Sequence, residues 1–268
     1  KIALVYHDSA YGKEPIPLMQ KRAAMHGFDL QLLPVAHPGV EQKATWLQIR
    51  RDRPDYVFLW GWGVMNSTAI KEAVATGFPR NKMYGVWWSG AEPDVKDVAD
   101  SAKGYNALAL QHGAEPNAPV VKEVLAKLHD KGMGTGPREE VGQVLYMRGL
   151  ISAMLATEGM RVAQAKYGKG KTITGEQMRW GLENMNLTTI GLTSLGFNGV
   201  MRTTSTSCND HMGASWARIQ TWDGKGWKVG NTWYEGDRKV LGPMVTETAN
   251  KYAADKKLTR RPASDCNS

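Results

Sequence analysis

Three short segments carry aromatic and hydroxyl side chains directly after apolar runs of the sequence. They are Ser9-Ala10-Tyr11, Gly61-Trp62-Gly63 and Trp87-Trp88-Ser89. Aromatic rings offer large apolar faces, and hydroxyl groups can hydrogen-bond a carboxylate or an amide. This combination is typical of a site that binds a small organic molecule.

Motifs for catalysis are weak in this sequence. Residues 168–172 (GKGKT) look like a phosphate-binding loop, but Ala165 stands where the first glycine belongs and no strand-like run precedes it. The adjacent pairs His7-Asp8 and Asp210-His211 are better explained by local hydrogen bonds than by acid–base chemistry. The six histidines lack ligand spacing. We therefore expect no enzyme activity, no cofactor and no metal site.

The two cysteines, Cys208 and Cys266, lie far apart in the sequence and near polar residues. They form no CxxC pair and have no histidines at metal-binding spacing beside them. In an oxidising compartment they could form one disulfide that ties the tail 262–266 to the body of the protein. Two unrelated thiols are the alternative that the sequence leaves open.

Length and composition indicate a globular protein. The chain has 268 residues, of which 42% are hydrophobic and 22% charged, enough for one large domain or two smaller lobes. Charged residues interrupt every apolar run before it reaches the roughly 18 to 20 residues that span a bilayer. The formal net charge of +8 comes from scattered Lys and Arg, with no basic cluster interleaved with aromatics. We therefore expect neither a nucleic-acid partner nor a direct membrane span.

The first 110 residues alternate strand-like and helix-like patterns. The predicted strands are 1–6, 29–35, 55–60, 82–87 and 106–110, and the predicted helices between them are 15–26, 41–51 and 66–76. Gly27 and Gly77 suit the left-handed residue that follows a helix end. Right-handed crossovers between such units predict a doubly wound parallel sheet.

The second half of the chain follows a different pattern. Helices are predicted at 119–131, 139–159 and 174–184 without strands of comparable strength between them, and Thr174 with Gln177 has the pattern of a capping box. A hairpin is predicted from strands 216–222 and 227–229 around a turn at 223–226, and a final helix after Pro243. The three helices are expected to lack the sheet that they would normally cover.

The order and spacing of three motifs resemble the leucine/isoleucine/valine-binding family of ABC-transporter solute receptors. The motifs are residues 1–12 (KIALVYHDSAYG), residues 54–62 (PDYVFLWGW) before a helix ending in 75–78 (ATGF), and residues 210–213 (DHMG) before the hairpin with 222–224 (WDG). The resemblance covers essentially the whole chain. It implies an α/β protein of the two-lobed type I periplasmic-binding-protein fold, in which doubly wound parallel sheets are joined by a three-crossing hinge.

The resemblance also implies lobe boundaries. Residues 1–112 would form the first part of lobe two, 113–217 the C-terminal helical part of lobe one, and 218–268 the return to lobe two with the hairpin, the C-terminal helix and the tail. The first part of lobe one would precede Lys1, so we expect that lobe to be incomplete here and a signal peptide to be absent from this chain. The lobes are expected to close around the hinge when a ligand bridges them.

A function follows from the same resemblance. It implies a periplasmic receptor that binds a small organic ligand between its lobes and delivers it to the membrane permease subunits of an ABC importer. A cytoplasmic small-molecule sensor of the same fold, which regulates gene expression through a partner, is the alternative.

Ligands of doubly wound sheets bind beyond the carboxyl ends of the strands, which is where the three aromatic segments fall. By resemblance, Tyr11 matches an aromatic that packs on the ligand in this family, and Trp62 matches a second aromatic contact. The predicted ligand-binding residues are Ser9, Ala10, Tyr11, Trp62, Trp87, Trp88 and Ser89.

One departure from the family bears on the ligand. Amino-acid-binding members tend to carry a carboxylate near the position of Trp87 that pairs with the ligand's ammonium, whereas residues 85–90 contain no Asp or Glu. A buried ammonium without a counter-charge is costly. We therefore expect an aromatic or aliphatic carboxylate or amide. A branched-chain amino acid is the alternative, with Glu92 as its ammonium partner.

Overall fold

The apolar runs of the first 110 residues form the strands of a parallel sheet. The computed structural model describes residues 1–110, 112–259 and 261–266. Its first five strands are β1 (Ile2–His7), β2 (Leu30–Val35), β3 (Tyr56–Trp60), β4 (Met83–Gly85) and β5 (Asn106–Leu110). They pair in the order β2-β1-β3-β4-β5, and all four pairings are parallel. The predicted doubly wound α/β sheet is confirmed.

Helices connect these strands; the three longer ones correspond to the predicted helices, and two four-residue helices are additional. They are α1 (Ala10–Lys13), α2 (Ile16–His26), α3 (Lys43–Asp52), α4 (Val64–Thr76) and α5 (Glu92–Val95). Gly27 and Gly77 end α2 and α4 with φ of +69° and +75°, as predicted. Strand β4 is shorter than predicted, because the chain turns into a 3-10 helix at Trp87–Ser89.

One face of the sheet packs against α3 and α4. The alternation of β1 directs Ala3 and Val5 to this face, and both side chains are fully buried. They belong to one apolar cluster with Trp46 and Ile49 of α3 and Ile70 of α4. Burying side chains of this size stabilises a fold by about 1.5 to 3 kcal/mol each. This core fixes the strands whose carboxyl ends carry the three aromatic segments.

The chain divides into two compact units. The first unit contains Lys1–Arg148 and Ala217–Trp233, and the second contains Gly149–Trp216 and the chain from Tyr234 onward. These bounds differ from the predicted lobe boundaries, which separated residues 113–148 from the first 112.

Long-range hydrogen bonds hold that segment in the first unit. The Arg218 guanidinium donates to the Glu115 carboxylate at 2.5 Å, and the Val144 amide donates to Glu92 Oε2 at 3.1 Å. The first unit also contains α6 (Pro119–Lys127) and, from Ala217 onward, the hairpin of β8 (Trp216–Trp222) and β9 (Trp227–Val229). Strand β8 pairs antiparallel with both β5 and β9, so the predicted hairpin extends the sheet.

The second unit is mainly helical. Helix α7 (Val144–Tyr167) starts in the first unit and contributes most of its length to the second, which also holds α8 (Gly175–Glu183), α9 (Thr189–Ser194) and α10 (Arg238–Asp255). Strands β6 (Asn186–Leu187) and β7 (Thr204–Ser205) form a small antiparallel pair, and β10 (Tyr234–Glu235) precedes α10.

Two predictions about helix ends had different outcomes. The Thr174–Gln177 capping box is present, with Gln177 N donating to Thr174 Oγ1 at 3.2 Å and Thr174 N donating to Gln177 Oε1 at 2.9 Å. The last helix was predicted to follow Pro243, and this start is wrong. Helix α10 begins at Arg238, because the Asp237 carboxylate accepts the Val240 amide at 3.2 Å and caps it there.

The tail after α10 is attached to the second unit. Cys208 and Cys266 are joined by a disulfide, with Cα atoms 5.3 Å apart. Arg261 donates to both oxygens of the buried Glu183 carboxylate, at 2.7 and 3.0 Å, and its guanidinium also contacts Cys208. These contacts hold the C-terminal segment to the rest of the second unit.

Buried hydrogen bonds hold the segment that follows β4. The Asp94 carboxylate accepts the Ala91 amide and the Asn66 side-chain amide, both at 2.8 Å. Asn66 also donates to the Trp88 carbonyl at 3.1 Å, and the Tyr105 hydroxyl donates to the Ser89 carbonyl at 2.8 Å. The backbone around Trp88 is therefore fixed to the start of α4 and to the residue before β5. Burial raises the pKa of Asp94 to about 6.

The free energy of unfolding should depend on whether Asp94 is protonated. Its pKa of about 6 in the folded protein lies above the usual 3.8, so the folded state holds this proton more tightly than the unfolded chain. The resulting stability is full below the unfolded-state pKa and is lost as the pH rises through 6. We expect the unfolding free energy of the wild type, relative to that of Asp94→Asn, to fall by about 3 kcal/mol between pH 3.5 and 7.

Urea unfolding of both proteins across this pH range measures the difference. Only its change with pH matters, so any constant effect of the substitution cancels. Two stability curves that run parallel from pH 3.5 to 7 would contradict the prediction.

The disulfide gives a second prediction. Unreduced protein that is denatured in urea should show no free thiol in a thiol titration. Cys208 and Cys266 are separated by 58 residues, and the chain-entropy argument predicts that the double variant Cys208→Ser, Cys266→Ser loses about 3 to 4 kcal/mol of unfolding free energy. Reduced wild-type protein is the control and should match the variant. Two titratable thiols per unreduced chain would show that the pair does not form.

Candidate functional site

A pocket of about 310 Å³ lies at the carboxyl edge of the parallel sheet. Among the described residues it is lined by His7, Ser9, Tyr11, Trp62 and Trp88. These residues end β1 or follow β1, β3 and β4, so the fold brings together residues from all three aromatic segments. Sites for small ligands in doubly wound sheets lie at this edge.

The segment after β1 is shaped by a close backbone approach. Ser9 caps α1 by accepting the Gly12 amide at 3.2 Å. A Cβ atom at Gly12 would lie 1.7 Å from the His7 carbonyl oxygen, so only glycine fits there. This tight turn brings the Tyr11 hydroxyl to the Gly61 carbonyl, to which it donates at 3.3 Å. Burial, with smaller contributions from Glu14 and Asp94, raises the pKa of Tyr11 well above its usual 10, which keeps the hydroxyl protonated.

One backbone oxygen joins the three segments. The Gly61 carbonyl accepts the Ser89 hydroxyl at 2.8 Å as well as the Tyr11 hydroxyl. Ser89 is fully buried. Its hydroxyl therefore holds the segments after β3 and β4 together and does not face the pocket.

Two indoles form the exposed walls of the pocket. Trp62 and Trp88 are 52% and 44% exposed, although large apolar side chains of this kind are usually buried when they serve the core. Trp62 makes an edge-to-face contact with the His7 ring, with centroids 6.1 Å apart. Neither indole belongs to the buried apolar cluster of the sheet, so both rings are free of core packing and exposed inside a concave site.

Trp87 lies outside the described pocket lining and packs against Trp88. Its ring centroid lies 4.6 Å from that of Trp88, and the Arg148 guanidinium carbon lies 4.0 Å from the Trp87 centroid and 4.8 Å from the Trp88 centroid. Arg148 also donates to the Trp87 carbonyl at 3.0 Å. A guanidinium over indole faces is a favourable cation–π arrangement. It orients both rings.

The predicted site residues thus divide into two groups. Ser9, Tyr11, Trp62 and Trp88 line the pocket. Outside the lining, Ala10 is an exposed residue at the start of α1, Trp87 packs on Arg148, and Ser89 is a buried connector.

Sequence reasoning missed two residues of this region. His7 lines the pocket, and its one sequence signal is its position at the end of a strand-like run. Its neighbour Asp8 is engaged locally, in an ion pair with Lys13 at 2.6 Å. Arg148 of α7 contacts Trp87 and Trp88, and no local sequence pattern predicts a contact between residues so far apart in the chain.

Glu92 has a structural partner. Its two carboxylate oxygens lie 3.1 and 3.3 Å from the Val144 amide nitrogen at the start of α7. Burial raises the pKa of Glu92. Because the described lining contains no Asp or Glu, the pocket offers aromatic faces, hydroxyls and an imidazole, and no carboxylate for an ammonium. In the part of the chain that the structure describes, no group of three or more His, Cys, Asp or Glu could hold a metal ion.

The helices differ from membrane-spanning segments in length or composition. None within residues 1–110, 112–259 and 261–266 combines the length and the apolar composition needed to cross a bilayer.

Solved structures with the same fold are numerous. An ABC transporter protein of the Pseudomonas fluorescens group, described as a permease, is 39% identical, with a TM-score of 0.92 over 97% of this chain and 63% of that chain. A Thermus thermophilus branched-chain amino acid ABC transporter protein with bound valine is 21% identical, with a TM-score of 0.66 over 89% of this chain and 62% of that one.

A third similar structure is a Rhodopseudomonas palustris solute-binding protein in complex with benzoate. It is 14% identical, with a TM-score of 0.61, and the match covers 85% of this chain and 57% of that one. The present chain therefore spans about 57 to 63% of the length of these three structures. No curated protein matches it.

A family model agrees with the fold. Residues 1–227 match the model described as periplasmic binding protein, and this span includes the five parallel strands, the pocket and most of the helical unit. The architecture is that of the type I periplasmic binding proteins. Because the match covers well over half of its residues, this chain belongs to the periplasmic binding protein family.

Proposed function

We propose that this protein is the extracytoplasmic solute receptor of an ABC importer and that it binds a small aromatic or aliphatic carboxylate or amide. The observation that carries this proposal is the pocket at the carboxyl edge of the sheet, where two half-exposed indoles and a tyrosine surround an opening with no charged carboxylate among its described lining residues. Family membership supports the role as a receptor, with permease subunits as its membrane partners.

The chemistry of the lining favours an acid over an amino acid. Trp62, Trp88 and Tyr11 offer flat apolar surfaces of the size of an aromatic ring or a short aliphatic chain. A zwitterionic ligand would bring an ammonium into the same space, and its nearest sequence candidate for a counter-charge, Glu92, accepts the Val144 amide. Leaving an ammonium unpaired in such a site costs several kcal/mol.

Similar structures hold both kinds of ligand. The Thermus structure contains valine and the Rhodopseudomonas structure contains benzoate. Each is less than 25% identical to this chain, so the choice between these ligand classes rests on the pocket described above. We propose the second class, and also that the protein performs no catalysis and closes its lobes on the ligand, as expected from the sequence.

Calorimetry of the full-length protein tests the ligand class. Benzoate, phenylacetate, leucine and valine would be titrated in parallel. We expect heat of binding from the aromatic acids and none from the amino acids, because the described pocket lining provides no carboxylate for an ammonium. Tight binding of leucine or valine with the aromatic acids silent would overturn the proposal and assign Glu92 the role of ammonium partner.

Replacement of Trp62 by alanine tests the pocket itself. The exposed indole is expected to act as an aromatic anchor, so Trp62→Ala should weaken binding of the preferred acid by about 1 to 3 kcal/mol. Trp180→Ala is the matched control, since Trp180 is a partly exposed indole of the second unit that packs on Tyr167. Equal affinities of wild type and Trp62→Ala would place the ligand elsewhere.

A further inference from the structure

Three polar side chains form a hydrogen-bonded chain at one end of the pocket. His7 Nδ1 lies 2.8 Å from Ser9 Oγ, and His7 Nε2 lies 3.3 Å from His37 Nδ1. His7 is only 5% exposed and lines the pocket, whereas His37 is exposed in the segment after β2. The chain therefore runs from the pocket to the surface.

The hydrogen bonds of Ser9 determine whether its hydroxyl proton is available to a ligand at this end of the pocket. A hydroxyl group has one proton to donate and two lone pairs to accept. One lone pair of Ser9 accepts the Gly12 amide at 3.2 Å. If His7 Nδ1 carries a proton, it donates to the second lone pair, and the hydroxyl proton of Ser9 is left to donate to a third group in the pocket.

His37 is coupled to this choice. Only one proton can lie between His7 Nε2 and His37 Nδ1, because one of the two nitrogens must accept. When His7 carries its proton on Nδ1, Nε2 is the acceptor and His37 Nδ1 is the donor. The opposite arrangement would make His7 Nδ1 an acceptor and would turn the Ser9 proton away from the ligand.

The other groups of the pocket also favour a ligand that accepts hydrogen bonds, as does the arrangement with the His7 proton on Nδ1. The indole nitrogens of Trp62 and Trp88 can only donate, and the Tyr11 hydroxyl donates its proton to the Gly61 carbonyl. Of the described lining residues, none has a carboxylate that could receive a donor from the ligand. A ligand that presents an acceptor oxygen matches this set of groups.

We propose that the Ser9 hydroxyl donates to an acceptor oxygen of the ligand, a carboxylate or amide carbonyl oxygen, and that His7, supported by His37, holds the hydroxyl in this donating orientation. This inference rests on the proposed function and narrows it to the chemistry of the ligand's polar group. His7 and His37 act here as positioning residues, while Ser9 contacts the ligand.

Binding of benzoate and benzamide to Ser9 variants tests the contact. Ser9→Ala should weaken both by roughly 10- to 100-fold, as expected for one lost hydrogen bond to a charged or strongly polar group. Ser9→Thr keeps the hydroxyl and should restore most of the affinity. Thr188→Ala is the matched control: Thr188 caps α9 by accepting the Gly191 amide at the same distance of 3.2 Å, but lies outside the pocket lining.

The tautomer of His7 tests the positioning role, with a readout that a purely structural effect would not move. Long-range nitrogen–proton NMR spectra of histidine-labelled protein should show the proton of neutral His7 on Nδ1, without ligand and with benzoate. In His37→Ala, the acceptor bond of Nε2 is lost, so part of the protein should shift to the Nε2–H tautomer and benzoate should bind severalfold more weakly.

The outcomes separate this inference from the proposed function. Benzoate binding that is unchanged by Ser9→Ala, or a His7 proton on Nε2 in the wild type, would overturn the inference and leave the receptor function standing. Benzylamine binding more tightly than benzoate would also overturn it. If neither benzoate nor any other member of the calorimetric panel binds, the proposed ligand class fails, and the inference about its acceptor oxygen fails with it.

Discussion

The two hydrogen bonds accepted by the Gly61 carbonyl are the constraint on which the site depends. Parallel pairing of β1, β3 and β4 brings the ends of these strands to one edge, but pairing alone does not fix the backbone that leaves each strand. The Tyr11 and Ser89 hydroxyls meet at this oxygen from two other segments. Both lone pairs of the oxygen are thereby used, as expected of a buried carbonyl in a well-formed structure.

The side chains that hold the backbone next to the Gly61 carbonyl are polar and buried, and their hydrogen bonds favour one backbone conformation. Asp94 accepts two hydrogen bonds, and Asn66 and Tyr105 bind the carbonyl oxygens of Trp88 and Ser89. Burying such groups is unfavourable unless they find partners, so the backbone after β4 has few alternative conformations of similar energy. Rigidity in this segment lets the exposed indole of Trp88 keep a defined position without packing into the core.

The elements that could be predicted are those set by local pattern. The strands β1 and β3 were predicted to within about one residue at most ends, because their apolar runs are continuous and glycine or polar residues follow. Ser9, Tyr11, Trp62 and Trp88 were placed correctly at the carboxyl edge because topology alone determines that edge.

What escaped prediction depends on distant contacts. The 3-10 turn at Trp87–Ser89 ends β4 early because Ser89 bonds to Gly61. Arg148 stacks on Trp87 from another helix, and residues 113–148 join the first unit through Glu92 and Glu115. None of these pairings has a local signature. Helix α10 passes through Pro243 because Pro243 lies near the helix start, where a missing amide is less costly than in the middle.

The hydrogen bonds at the Gly61 carbonyl hold the backbone of the site, whereas the Trp62 and Trp88 side chains line the pocket without taking part in them. These two sets of groups can therefore change independently in evolution. The acceptor is a main-chain atom, so it survives any change of the side chain at position 62, and the indole of Trp88 likewise contributes nothing to the bonds that hold its own backbone. The indoles proposed to contact the ligand can therefore be exchanged while the hydrogen bonds that hold the backbone stay intact. A protein of this kind can acquire affinity for a new ligand through a few substitutions in its pocket lining, while its fold stays unchanged.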